Sequence, residues 1–236
     1  MLFADPALWL ITAIFLVPAA IIAIPLHELG HGFAAYWEGD PTPRNRGYLR
    51  PQLQPFIQPY GLIAVFLANV GWTQPIPINE YRLTTIWKKL AYAVAGPAAN
   101  LVVAVVAAVA VRLLQSIGGV PIPIPPAPLN LLTFAVYAIF FLNLSFAVFN
   151  LLPIPGLDGW RVLEALFRNR YPRFFFDVSM RQREVWVGIV LVIVLASFIP
   201  PHINLLDVVM APLYSPLSAL LLGRCAGYVS LHPCLL

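Results

Sequence analysis

Five consecutive residues, His27-Glu28-Leu29-Gly30-His31, place two imidazoles four positions apart with a carboxylate between them. On a helix, residues i and i+4 project from one face. His27 and His31 can therefore share one zinc ion while Glu28 addresses a water beside it. The residues before the motif, 8 to 26, are almost wholly apolar. Ionisable side chains in such a setting are costly unless they pair, ligate or react, so the motif points to chemistry rather than packing.

A catalytic zinc takes three protein ligands and keeps a fourth position for water. Of the other carboxylates, Asp5 and Asp207 are expected near the far face or away from the motif, while Glu164, Asp177 and Glu184 lie among arginines. Asp158 directly follows an apolar segment, in a Pro/Gly-broken turn where Gly156 and Gly159 permit close backbone approach. On its own Asp158 reads as a loop cap; together with the histidines it reads as the third ligand. The implied reaction is peptide hydrolysis. Zinc polarises the scissile carbonyl, and Glu28 moves a proton from water to the leaving amine. Asn150, eight residues before Asp158, is placed to reach a substrate backbone. Asn100 and Asn143 read as interhelical hydrogen-bonding groups.

The elements that must position these residues are membrane helices. Hydrophobic residues make up 60% of the 236 and charged residues 10%, with a mean hydropathy of +0.82. A soluble domain carries about 25% charged residues. The expected fold is an all-α polytopic membrane protein forming one domain over 1–222, with a short tail at 223–236. Apolar runs predict spans at 8–37, 90–114, 130–152, 185–199 and 205–222. Residues 61–70 are too short to cross and read as re-entrant or interfacial, giving five to six transmembrane elements. Residues 153–183 read as a loop with a short helix. The N-terminus has no basic n-region or small-residue cleavage site, so the first span is expected to be retained.

Trp9 and the Tyr36-Trp37 pair fit opposite interfacial anchors, which sets His31 about 9 Å below the surface at 1.5 Å per residue. Pro18 and Pro25 offer places for a kink. The alternating prolines of Gly71-Trp72-Thr73-Gln74-Pro75-Ile76-Pro77-Ile78-Asn79 favour an extended chain that could serve only as an edge strand. Basic residues concentrate in 41–60, 80–89 and 153–183, and these loops should face the cytoplasm. The ends of the first span and the Asp158 turn then share one side and one depth. The net charge of +4 needs no nucleic-acid partner, since no basic stripe with interleaved aromatics is present. Cys225 and Cys234 flank His232 at a spacing that fits no standard zinc pattern.

The three motifs His27-Glu28-Leu29-Gly30-His31, Gly96-Pro97-Ala98-Ala99-Asn100 and Asn150-Leu151-Leu152-Pro153-Ile154-Pro155-Gly156-Leu157-Asp158-Gly159 occur in that order. Together they resemble the site-2 protease family of intramembrane zinc metalloproteases. The closer likeness is to its compact branch without a PDZ domain, which the Gly71–Pro77 stretch also resembles. The resemblance implies cleavage of transmembrane segments of other membrane proteins in the cell (inner) membrane, toward the cytoplasmic side. It makes His27, His31 and Asp158 ligands of Zn2+, Glu28 the base and Asn150 a holder of the substrate strand. An unwound substrate could add to the 71–79 edge, which makes Pro75 and Pro77 candidate substrate-binding residues. Two other readings stay open: a zinc transporter or sensor without hydrolysis, and a membrane protease with a glutamate third ligand. The carboxylate between the histidines argues against the first, because a transporter has no need of a base there.

Overall fold

The apolar run that carries the histidines folds as one helix, α1 (Pro6–Trp37), continuous through Pro18 and Pro25. The computed structural model describes residues 6–50, 75–118, 128–198 and 205–223. After α1 come a short α2 (Thr42–Asn45), a 3-10 turn (Glu80–Arg82), α3 (Ile86–Gly118) and α4 (Pro128–Asn150). Two short amphipathic helices follow, α5 (Asp158–Phe167) and α6 (Pro172–Met180), then α7 (Gln182–Phe198) and α8 (Leu205–Leu222). Three stretches are long and apolar enough to cross a bilayer: Ile14–Trp37, Ile86–Ile117 and Leu131–Asn150. Val208–Leu222 is a shorter apolar helix. The chain therefore has the build of an integral membrane protein.

Contacts fix how the three long helices run. His31 meets Tyr92 and His27 meets Asn100, so α3 is antiparallel to α1. Phe15 meets Phe134 at one end and Asn143 meets Asn100 nearer the other, so α4 runs parallel to α1. With no hydrophobic drive between helices in lipid, association relies on close backbone approach through small residues. The buried faces supply them: Ala19, Ala20 and Ala23 on α1, Ala104, Ala107 and Ala108 on α3, and Ala138 on α4. At Gly30 a Cβ would stand 2.6 Å from the Ala95 carbonyl oxygen, so that crossing tolerates no side chain. The opposite face of α3 turns Val102, Val105, Val106, Val109 and Leu113 outward, as a lipid-facing stripe requires.

Three of the expected spans, 8–37, 90–114 and 130–152, recur as long apolar helices with shifted ends, while 185–199 and 205–222 fall on the shorter helices α7 and α8. The 90–114 span begins at Ile86, because the Thr85 hydroxyl accepts the Lys88 N–H and caps the helix before the lysines. The polar stretch 153–183 holds two helices where one was expected. The edge strand expected over 71–79 requires correction, since among the described residues no strand occurs and 75–79 is coil. Pro75 and Pro77 have no N–H to give a ladder. The N–H groups of Ile76 and Asn79 are spent on the carboxylates of Glu28 and Asp40. The expected re-entrant segment 61–70, residues 71–74, and the cysteines of the tail lie outside the described residues.

Candidate metal centre

His27, Glu28 and His31 sit in the last three turns of α1, where its inner face meets α3, and all three are buried. Asp158 reaches them from the start of α5. The chain leaves α4 at Asn150, turns through Pro153 and Pro155, and takes a left-handed conformation at Gly156 (φ +96°). It re-enters a helix at Asp158. A Cβ on Gly159 would collide with the Leu151 and Leu152 carbonyls, so only glycine lets this first turn lie against the end of α4. Leu157 occupies the N-cap position and no side chain caps the helix, so Asp158 is not engaged as a cap.

The geometry converges on one point. The Nε2 atoms of His27 and His31 stand 3.2 Å apart, and Asp158 Oδ2 is 3.1 Å from each. Their neighbours decide which ring nitrogens carry hydrogen. His31 Nδ1 faces the Tyr92 carbonyl oxygen at 2.7 Å, which can only accept. Asn100 Nδ2 donates to the Ala23 carbonyl and to Asn143 Oδ1, so its Oδ1 is the atom facing His27 Nδ1 at 2.7 Å. Both Nδ1 atoms therefore donate, and in the neutral rings both Nε2 lone pairs point inward. Three acceptors facing one another repel unless a cation lies among them. Ligands about 2.0–2.1 Å from a tetrahedral zinc stand about 3.3 Å apart, close to the spacing seen. Space for the ion is provided by Gly96, where a Cβ would overlap His31 Nε2 and lie 2.8 Å from His27 Nε2. The three side chains thus form a buried cluster able to hold a metal.

Glu28 is outside that cluster. Its Oε2 accepts the Ile76 N–H at 3.0 Å, and the carboxylate lines a cavity of about 470 Å³ together with the three clustered side chains. Phe146, Phe149, Trp160 and Trp186 give the cavity an aromatic wall. Asn150 and Pro75 also line it, whereas Pro77 is not among its lining residues. Asn150 donates its Nδ2 to the Phe146 carbonyl one turn back, which leaves its amide oxygen for another partner.

Four residues that matter to this geometry were not read as site residues from sequence. Ile76 toward Glu28 and Tyr92 toward His31 act through backbone groups, which leave no mark on residue type. Asn100 was read as an interhelical hydrogen-bonder, and its bond to Asn143 is present, but the same amide also holds His27. The available signal was its spacing: Gly96 and Asn100 are one turn apart on α3, as His27 and His31 are on α1. Arg161 passed as one basic loop residue among several, yet it contacts Asp158 Oδ1 at 3.2 Å.

The sequence pattern described as Peptidase family M50 matches residues 14–197. YwhC of Bacillus subtilis is 32% identical over 157 residues, covering 64% of this chain and 68% of its own. Rip2 of Mycobacterium tuberculosis is 30% identical over 198 residues, covering 81% and 69%. Both carry names that make them candidate zinc metalloproteases. No solved structure matches.

Proposed function

Because the chain belongs to peptidase family M50, the site-2 protease family of zinc metalloproteases, we propose that it hydrolyses peptide bonds within membrane-spanning segments of other membrane proteins. His27, His31 and Asp158 hold the zinc ion, and Glu28 is the general base. The observation that carries this reading is the convergence of three buried acceptor atoms, two imidazole nitrogens and one carboxylate oxygen, beside a second carboxylate that takes no part in the cluster. A transporter site would have no use for that extra group.

Bound zinc supplies a Lewis acid that acidifies water and draws electron density from the scissile carbonyl. The protein does the rest. Asn100 and the Tyr92 carbonyl hold the two rings in the tautomer whose Nε2 atoms ligate. Glu28, aimed by the Ile76 N–H, accepts the proton of the attacking water and returns it to the leaving amine. The Asn150 amide oxygen can accept a backbone N–H from a substrate unwound along the cavity, against Pro75 and the aromatic wall.

We read α7 and α8 as further crossings, since Val187, Leu191 and Leu195 on one and Val209 and Leu213 on the other are exposed as lipid-facing residues are. Arg44, Arg46, Arg82, Lys88, Lys89 and the arginines of α5 and α6 belong to the end of the bundle that carries the cluster. By the positive-inside rule that end faces the cytoplasm. The test pairs metal analysis of the purified protein with cleavage of a panel of single-span substrates by wild type and Glu28→Gln. Equal zinc content with cleavage lost in the variant is expected; undiminished cleavage by Glu28→Gln would refute the assignment.

A further inference from the structure

Resting on the zinc reading above, the geometry assigns Arg161 and Tyr92 as a positioning clamp that makes Asp158 a one-oxygen ligand and ties it to His31. A carboxylate has two equivalent oxygens and can bind a metal through either or both. Here they are kept apart. Oδ2 faces both imidazoles, while Oδ1 takes the Arg161 guanidinium through Nη1. Arg161 is three residues after Asp158 on α5, so the two side chains share a helix face. Among the described residues that line the cavity, Arg161 is the only basic one besides the histidines, where Glu28, Glu80, Asp158 and Glu164 supply carboxylates.

Tyr92 holds the arginine in place and is the link between the ligands. Its hydroxyl lies 3.3 Å from Arg161 Nη1, and the guanidinium carbon sits 5.3 Å from its ring centroid. The same residue's carbonyl accepts the His31 Nδ1–H, and its ring lies 5.0 Å from the His31 ring. One α3 residue therefore orients an α1 ligand through its backbone and an α5 ligand through its side chain. Outer partners of metal ligands commonly set affinity by 10–100-fold. A guanidinium that must remain planar over the ring and donate to Oδ1 suits that task better than an ammonium.

The test is zinc competition against a chromophoric chelator, with the full-length purified protein as wild type, Arg161→Met, Arg161→Lys, Tyr92→Phe and Asp158→Ala. Arg161→Met should raise the zinc dissociation constant about 10–100-fold, and Arg161→Lys should recover part of the loss. Tyr92→Phe, which keeps the backbone carbonyl and the ring, should cost less. The double variant Arg161→Met with Tyr92→Phe should bind no worse than Arg161→Met alone, because the hydroxyl acts through the arginine. Cobalt(II) loaded into Arg161→Met should show weaker visible d–d absorption, as a second carboxylate oxygen raises the coordination number. A purely structural arginine would leave that spectrum unchanged. Should Arg161→Met fail to fold, the Arg161→Lys and Tyr92→Phe affinities decide. Wild-type affinity in the arginine variants with zinc lost in Asp158→Ala would overturn the clamp alone. Unchanged zinc binding in Asp158→Ala would overturn the ligand assignment and the clamp with it.

Discussion

The backbone N–H of Ile76 donates to Oε2 of Glu28 at 3.0 Å, joining a coil segment to the buried carboxylate of α1 across 48 positions of chain. Within Pro75-Ile76-Pro77 it is the single N–H that the sequence leaves available, and the flanking prolines fix φ on either side. Ile76 is itself buried, its side chain filling the space above Gly32, where a Cβ would stand 2.8 Å from the isoleucine Cδ1. The segment is thereby locked by packing at the point where it aims the base.

Ile76→Pro should slow cleavage without removing zinc. A hydrogen bond to a charged group is worth about 1.5–3 kcal/mol, which corresponds to roughly 10–150-fold in rate if all of it acts in the transition state. Ile76→Ala keeps the N–H and loses only packing, so it should retain most of the activity. Steady-state cleavage of a single-span substrate together with zinc content distinguishes the two. Equal losses would show that packing, not the N–H, is what matters.

Glu28→Gln removes the base while preserving the shape of the site. Cleavage should fall by about 10²–10⁴-fold, the range for a positioned general acid–base, with zinc retained because Glu28 is not among the clustered ligands.

Gly96→Ala should abolish zinc binding even though alanine favours helix. Its methyl would enter the space between the two Nε2 atoms. The control is Gly188→Ala on α7, where a Cβ meets nothing within 4 Å. That change should be neutral or stabilise by up to about 1 kcal/mol. Retention of zinc by Gly96→Ala would mean the ion lies elsewhere.

Asn100→Leu should weaken zinc by about 10–100-fold through the loss of His27 orientation. Asn143→Leu, which frees one donor of the Asn100 amide, should cost less. The pair should be less than additive, since one hydrogen-bonded chain runs from Ile139 through Asn143 and Asn100 to His27.

Asp40 gives the fold an acid-sensitive tie. Burial pushes its carboxyl up, but hydrogen bonds from the Thr42 hydroxyl and the Asn79 and Thr42 N–H groups, with Arg82 nearby, overcome this and hold it below its ordinary value. The folded value is the lower one, so this stabilisation is complete above the unfolded carboxyl range, near pH 4. It is lost as pH falls further toward the folded value. Asp40→Asn should lower the melting temperature at pH 7, and its gap from wild type should close between about pH 5 and pH 3. A gap that stays constant over that interval would remove Asp40 from the acid response.

Much of this protein was legible before any coordinates. Helical periodicity puts His27 and His31 on one face whatever the rest of the chain does, because four residues are little more than one turn. The length and apolarity of the runs around 8–37, 90–114 and 130–152 made them helices for the same local reason, with ends displaced by a few residues, as at Ile86, where the Thr85 cap lies outside the apolar run. Asp158 was reachable by counting which carboxylate shares a depth with the histidines. What tertiary structure alone decided is everything that acts through backbone or across helices. The Tyr92 carbonyl, the Ile76 N–H and the space left at Gly96 acquire meaning only when α1, α3 and the 75–79 coil meet, since peptide groups are alike at every position. Residue type says what a side chain can donate or accept; only the packed fold says which partner stands within 3 Å of it.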